Sequence, residues 1–233
     1  MSDSITGWQS RARRFVPAKR IQRSFVANFE KGILIWLAKR LPPWINSDHL
    51  TLLGFVAQCL VGVCYALAKS NPRMLLAGAI CLALNWLGDS LDGTLARVRN
   101  RQRPRYGFYV DHITDTIAAF FLMGGLALSG YVHPLVALGM LLAFLMLSIE
   151  AYLATYALGE FRLSYWKFGP TEIRILLAAG NIALLRHSVV RFIGRETRLF
   201  DLGGVIAIAG MSGMLTASAI RHATQLYREE RIS

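Results

Sequence analysis

Four aspartates near the middle of the chain have a spacing that suits chemistry with cations. Asp89 and Asp92 lie three residues apart, and Asp111 and Asp115 lie four residues apart. On a helix, spacings of three and four place both side chains of a pair on one face. Each pair therefore predicts a cluster of negative charge, and the short segment between the pairs allows the two clusters to meet.

Carboxylates that converge in this way predict a divalent metal site. Like charges a few ångströms apart repel each other, so the cluster needs positive charge between its members. Carboxylate oxygens suit Mg²⁺ or Mn²⁺, and two ions about 3.5–4 Å apart hold a phosphoryl group during its transfer. The plainer alternative is four solvated aspartates that cap helices. Their shared register favours the metal site.

Hydropathy predicts the elements that position these aspartates. The chain of 233 residues is 54% apolar and only 17% charged, which is typical of a membrane protein. Six apolar stretches have close to the ~20 residues that a helix needs to cross ~30 Å of hydrocarbon. Because lipid offers the backbone no hydrogen bonds, such spans must be helices. We place them at residues 50–68, 73–92, 110–129, 133–157, 171–185 and 202–220.

The predicted fold is therefore an all-α integral membrane bundle of six transmembrane helices, preceded by an interfacial amphipathic helix that ends at Pro42 and Pro43. A helix that merely packs on the bundle is the alternative for this preceding segment. The first residues have no apolar core, so they do not form a secretory signal, although a mitochondrial transit peptide stays open. The predicted organisation is a basic segment at 1–24, the amphipathic helix at 25–43, the catalytic membrane domain at 44–222 and a cytosolic tail at 223–233.

Basic residues predict the orientation. The chain has 26 Lys and Arg against 14 Asp and Glu, a formal charge of +12. Of these 26, all but Lys69, Arg73, Arg186, Arg191, Arg195 and Arg198 lie on one side of the predicted spans. By the positive-inside rule that side is cytosolic, and it includes both termini and the aspartates. Because the basic residues follow membrane topology, a nucleic-acid partner is not expected.

The residues around the aspartates resemble a family motif. They read Asp89-Ser-Leu-Asp92-Gly93-Thr-Leu-Ala96-Arg97, then nine residues, then Gly107-Phe-Tyr-Val-Asp111-His-Ile-Thr-Asp115. This resembles the DxxDGxxAR…GxxxDxxxD motif of the CDP-alcohol phosphotransferase family, with every defining position filled. The resemblance covers roughly residues 45–220.

The resemblance implies a reaction and a role for each motif residue. Asp89, Asp92 and Asp111 would ligate two metal ions, with Asp115 near the second ion as the general base. Asp115 would take the proton of an alcohol acceptor, whose oxygen attacks the β-phosphorus of a CDP-alcohol donor, and CMP leaves. The family also implies a homodimer in the bilayer. The residues that would hold the CDP group are Gly93, Ala96, Arg97, Gly107 and Thr51.

Three further residues are candidates for the acceptor site. His112 and the segment from Gly169 to Glu172 are similar to parts of the choline/ethanolamine phosphotransferase branch. Glu150 and Asn85 lie within spans, where polar groups usually face the bundle interior. The candidates are therefore His112, Glu150 and Glu172, against plainer readings as an interfacial histidine, an interhelical contact and a first-turn acid. The residues do not determine the acceptor alcohol or the CDP donor.

Two other functions fit part of the pattern. A membrane prenyltransferase also combines Asp-rich motifs with Mg²⁺, but its two motifs lie in separate halves of a longer bundle. A non-enzymatic cation-binding membrane protein would need the carboxylates but neither Gly93 nor Arg97. Release of CMP from a CDP-alcohol distinguishes all three functions.

Overall fold

The structure is a computed structural model that describes residues 19–21, 27–162, 170–192 and 194–231. Most of the predicted basic segment 1–24 therefore lies outside the described residues. The helices are α1 Ala27–Arg40, α2 Ser47–Ala68, α3 Met74–Val98, α4 Pro104–Leu128, α5 Pro134–Leu158, α6 Pro170–Leu184 and α7 Leu199–Glu229. The strands are β1 Lys19–Ile21, which pairs in parallel with β2 Glu160–Arg162, and the antiparallel hairpin of β3 Val189–Phe192 and β4 Arg195–Arg198.

Four of these helices are long and apolar enough to cross a membrane: α2, α3, α5 and α7. The predicted all-α integral membrane fold is thereby confirmed. Helix α4 begins with a polar turn, and α6 has only 15 residues, or roughly 22 Å at ~1.5 Å per residue. The count of six spans and the amphipathic character of α1 remain predictions. Helix α7 continues to Glu229, well into the predicted tail.

Helix α2 is the central element, because α3 and α4 each pack along it. Glycines allow the close approach. A Cβ on Gly88 of α3 would lie 2.5 Å from the backbone nitrogen of Gly54, and a Cβ on Gly125 of α4 would lie 1.9 Å from the carbonyl oxygen of Gly62. The two aspartate-bearing helices, α3 and α4, therefore share α2 as their main packing partner.

The half of the bundle away from the aspartates has a conventional core. Val61, Leu75 and Leu126 are buried there with other leucines. The hydroxyl of Tyr65 donates to Oδ1 of Asn181 at 2.7 Å, and Nδ2 of Asn181 donates to the carbonyl oxygen of Leu75 at 3.2 Å. These bonds join α2, α3 and α6 and leave the buried polar side chains paired.

Helix α1 packs on α3 through Leu34, Ala38 and Glu30, all of which are buried. Trp86 Nε1 and Ser90 Oγ, both on α3, donate to Oε1 of Glu30 at 2.8 and 3.0 Å. The hydroxyl of Thr171 on α6 also donates to Glu30, at 3.2 Å. In an interfacial amphipathic helix, an acidic residue such as Glu30 is expected on the polar side. Instead, its carboxylate ties three helices together.

Candidate active site

The four motif aspartates line one cavity. It lies where α3 ends and where α2 and α4 begin, and Thr51 of α2 and Thr114 of α4 also line it. Asp89 and Asp92 enter from α3, and Asp111 and Asp115 enter from α4. The convergence expected from the spacing is therefore present, with α2 as the third wall.

Asp92 is the most firmly held of the four aspartates. It is 7% exposed, and its Oδ2 accepts a hydrogen bond of 2.6 Å from the hydroxyl of Thr51. The backbone N–H of Gly93 donates to its Oδ1. Ser47 donates to the carbonyl oxygen of Asp92 at 3.0 Å. These contacts fix the end of α3 to the start of α2.

Asp89 is paired with a cation from another helix. Nη2 of Arg174 on α6 donates to Oδ2 of Asp89 at 2.7 Å, and the arginine side chain is only 15% exposed. A largely buried guanidinium beside the aspartates offsets part of their mutual repulsion. None of the site residues predicted from the sequence had been expected to pair with Asp89.

The donor set at this cavity fits a hard divalent cation. Four carboxylates and two threonine hydroxyls are the oxygen ligands that Mg²⁺ and Mn²⁺ prefer. Within the described residues, no group of three acidic, histidine or cysteine side chains lies close enough to hold one ion as it stands. The reason lies in the contacts above, since Asp89 and Asp92 are directed to protein donors, Arg174 and Thr51.

The residues expected to hold CDP surround open space. A Cβ on Gly107 would meet nothing within 4 Å, and a Cβ on Gly93 would meet only the guanidinium of Arg97, at 3.4 Å. Arg97 is exposed, and its Nη2 donates to the hydroxyl of Thr94 at 3.0 Å. The hydroxyl of Thr51, which was also expected to hold CDP, donates to Asp92.

A second and wider cavity, of about 370 Å³, lies beside this region. Ala96 lines it, together with Ser47, Arg99 and Arg101. Arg99 donates to the carbonyl oxygens of Leu41 at 2.8 Å and of Pro42 at 3.0 Å, and so holds the end of α1 in place. This cavity thus has basic side chains in its wall, and Arg99 is held there by its hydrogen bonds.

None of the three acceptor candidates is among the described residues that line the carboxylate cavity. The ring of His112 stacks on Phe108 with centroids 4.1 Å apart and meets Tyr152 of α5 edge-on at 5.0 Å. Glu150 accepts from Ser218 at 2.9 Å, and Nδ1 of His222 lies 2.7 Å from the same oxygen. Glu172 lies half-buried in the first turn of α6.

A comparison with known proteins matches this arrangement to one family. The family model for CDP-alcohol phosphatidyltransferase matches residues 44–216. The chain belongs to the CDP-alcohol phosphatidyltransferase family. The matched region contains both aspartate pairs and extends from α2 into α7, so the predicted resemblance is confirmed. Enzymes of the CDP-alcohol phosphatidyltransferase family generally use divalent metals.

Two relatives support the same family. Cholinephosphotransferase 1 from Gallus gallus is 27% identical over 191 residues, which are 76% of this chain and 56% of the relative. Archaetidylinositol phosphate synthase from Methanothermobacter thermautotrophicus is 31% identical over 104 residues, 45% of this chain and 50% of the relative. The chain spans about half the length of these relatives. Membership of the CDP-alcohol phosphatidyltransferase family supports an enzyme of phospholipid synthesis.

Sequence reasoning missed two residues beside the carboxylates. From the sequence, Arg174 is only one of the basic residues on the predicted cytosolic side. No local pattern links it to Asp89, which is 85 residues earlier. Gln58 also lines the cavity, and here a signal was present. It lies seven residues after Thr51, which is two helical turns along the same face of α2. A polar residue on that face of an apolar helix in this family was a candidate from the sequence alone.

Proposed function

We propose that this protein transfers a substituted phosphate group from a CDP-alcohol to an acceptor alcohol and releases CMP, in phospholipid synthesis. The acceptor oxygen forms a bond to the β-phosphorus of the donor. The bond between that phosphorus and the oxygen bridging to the α-phosphate breaks, and its electron pair leaves with CMP. The proton of the acceptor hydroxyl passes to Asp115.

One observation carries the proposal. The four aspartates of the motif line a single cavity, although two come from α3 and two from α4. A Cβ on Gly107 would meet no other described residue within 4 Å, which leaves room for a phosphate to reach the backbone. A cavity that combines acidic walls with this room suits a diphosphate bound through divalent cations.

The chain's own residues position and neutralise the reacting groups. Asp89, Asp92, Asp111 and Asp115 would hold two ions of Mg²⁺ or Mn²⁺, which supply the positive charge that phosphoryl transfer requires. Thr51 orients the carboxylate of Asp92 through its hydrogen bond of 2.6 Å. Arg174 approaches from α6 and carries donors that suit a phosphate oxygen.

The wider cavity beside Ala96 suits the nucleoside. Its basic lining, with Arg99 and Arg101, attracts a nucleotide, and Ser47 connects it to the carboxylate cavity through the backbone of Asp92. Gly93 and Arg97 lie on the helical turn that follows Asp92, where the diphosphate would pass. In this arrangement the reacting phosphorus lies at the aspartates and the base lies toward the end of α3.

The resemblance to the choline/ethanolamine phosphotransferase branch gains support from the cholinephosphotransferase relative. His112 and Glu172 carry that resemblance. The acceptor itself stays open, because the two relatives have different names and each is matched over only part of its length. We further propose that the active site faces the cytosol, since most basic residues lie at its end of the bundle, and that the protein is a homodimer.

The experiment is a screen of purified protein with polar and lipid alcohols and two kinds of donor. CDP-diacylglycerol and CDP-choline are each supplied with Mg²⁺, and release of CMP is measured for every pair. We expect CMP with at least one pair, and about 10³-fold slower release with Asp115→Asn. Metal-dependent release of pyrophosphate from a prenyl diphosphate, without CMP from any pair, would instead support the prenyltransferase alternative. Metal binding without any turnover would support the cation-binding protein.

A further inference from the structure

The carboxylate cavity has a polar deep end that the motif does not explain. Gln58 of α2 and Asn85 of α3 both line it. Asn85 lies one turn before Asp89, and Gln58 lies two turns after Thr51, so both are further into the bundle than the aspartates. We call these two side chains the amide floor.

Each residue of the amide floor has a buried oxygen without a partner. Oε1 of Gln58 and Oδ1 of Asn85 accept no hydrogen bond from the described residues. Asn85 is only 6% exposed, and its Nδ2 donates to the carbonyl oxygen of Gly54 at 2.9 Å. That bond fixes which atom of the amide is the oxygen. A buried acceptor left unpaired destabilises a fold, so two of them at one cavity indicate a ligand.

The chemistry of the two oxygens defines what the ligand supplies. Both are acceptors, so they need an O–H or N–H donor. The phosphates of a CDP-alcohol offer only acceptors at this position. The cations belong with the charged oxygens of Asp89, Asp92, Asp111 and Asp115. The component of the proposed reaction that carries donors to this end of the cavity is the acceptor alcohol.

We propose that the amide floor binds a second donor group of the acceptor alcohol, and so selects an acceptor with more than one hydroxyl or amine. This inference rests on the proposed function. The attacking hydroxyl has one proton, and that proton passes to Asp115 as its oxygen bonds to phosphorus. It is therefore not available to Gln58 or Asn85 at that step. The donor that reaches the floor belongs to another group of the same molecule.

The geometry of α4 is consistent with this placement. Ala118, one turn beyond Asp115 toward the middle of the bundle, also lines the cavity. Its side chain is a single methyl group, and it adds no polar atom to this wall of the cavity. An acceptor could thus present one hydroxyl to Asp115 and the next to Gln58 or Asn85.

The test uses two acceptors that differ only at the second hydroxyl. The probes are 1-oleoylglycerol and 1-oleoyl-2-O-methylglycerol, each with the CDP donor that gives the most CMP. We expect the wild-type protein to favour the diol by at least about tenfold in kcat/KM, because a site built for a hydroxyl leaves its own groups unpaired when that hydroxyl is missing. The KM of the CDP donor should agree within about twofold for the two acceptors.

Gln58→Met is the main variant, since no hydrogen bond joins Gln58 to the residues that the structure describes and none is broken. We expect it to lose the preference for the diol and to unfold at a higher temperature than the wild type. Asn85→Leu should also lose the preference but unfold at a lower temperature, because the carbonyl of Gly54 loses its donor. Leu60→Met, on an exposed face of the same helix, should leave both the preference and the unfolding temperature unchanged.

Equal use of the two probes by the wild type, or a preference retained in Gln58→Met, would overturn the proposal and leave the floor as a water site. If no acceptor yields CMP, the proposed function fails and binding decides the inference. In that case, a larger rise in unfolding temperature with the diol than with the ether, in the wild type and not in Gln58→Met, would support the amide floor. Equal rises would refute it.

Discussion

The half of the helix bundle near the aspartates and the half away from them differ in how their buried polar side chains are bonded. Away from the aspartates, Tyr65 and Asn181 bind each other, and Asn181 also binds a backbone carbonyl. Near the aspartates, Gln58 and Asn85 each have a side-chain oxygen that accepts no hydrogen bond from the part of the chain that the structure describes. In an apolar interior, pairing stabilises the fold and an unpaired group does not. We therefore call the half away from the aspartates the structural half, because its polar contacts hold the helices together. We call the half near the aspartates the ligand half, because its unpaired oxygens support the proposed binding of a ligand.

The largest effect is expected in the ligand half, when the proposed general base Asp115 is replaced. Asp115→Asn keeps the shape of the side chain but loses the ability to take a proton. We expect CMP release to fall by about 10³-fold, within the range of general-base catalysis, with little change in unfolding temperature. The measurement is CMP release under saturating substrates, with circular dichroism to follow unfolding. A variant with near-normal turnover would assign the base to another residue.

The largest expected effect on the structural half comes from Gly125→Ala. The added methyl group would lie 1.9 Å from the carbonyl oxygen of Gly62, so α2 and α4 must separate. We expect the free energy of unfolding to fall by about 3 kcal/mol, the upper part of the usual range for overpacking. Gly124→Ala is the matched control, since a Cβ there meets nothing within 4 Å. Equal unfolding free energies for the two variants would contradict the close helix contact.

Arg174→Gln sharpens the account of the carboxylate cavity. Arg174 pairs with Asp89, which is also a ligand in the proposed metal site, so its loss should increase the affinity for Mg²⁺ by about tenfold, or ~1.4 kcal/mol. The measurement is the Mg²⁺ concentration that gives half of the maximal rise in unfolding temperature. Arg73→Gln, at the opposite end of α3, should show the wild-type value. A weaker affinity in Arg174→Gln would mean that the arginine orients Asp89 for the metal.

The smallest expected effect is that of Tyr65→Phe in the structural half. It removes the hydrogen bond of 2.7 Å to Asn181 and should lower the free energy of unfolding by about 1 kcal/mol. No kinetic constant for donor or acceptor should change. A changed KM for the acceptor would show that the two halves are not independent.

The outlines of the fold were predictable because long apolar stretches leave few alternatives. Each of the six predicted spans corresponds to a helix, from α2 to α7, with ends that differ by a few residues in most cases. The larger differences lie where polar turns continue a helix beyond the hydrocarbon, as at Val98 and Glu229. Hydropathy detects the apolar part of a helix but not its extension into water.

The candidate site was likewise predictable only in part from the sequence. The convergence of the four aspartates followed from helical spacing and a short connection. The partners of those aspartates did not, because Thr51 and Arg174 approach Asp92 and Asp89 from other helices. The burial of Glu30 was not predictable for a similar reason. On an isolated helix it reads as a solvent-facing acid, and only the contact with Trp86 and Ser90 makes it a buried one.

Two conclusions could be drawn from the amino-acid sequence: that the chain is a helical membrane protein, and that it belongs to a family whose motif contains its four spaced aspartates. Both conclusions rest on local patterns: the length of apolar runs, and spacings of three and four residues within one helix. Contacts between helices became visible only in the structure: α3 and α4 both pack on α2, Arg174 meets Asp89, and two amide oxygens below the aspartates have no partner among the described residues. In a membrane, lipid and protein interior are both apolar, so hydropathy does not record which face of a helix meets which neighbour.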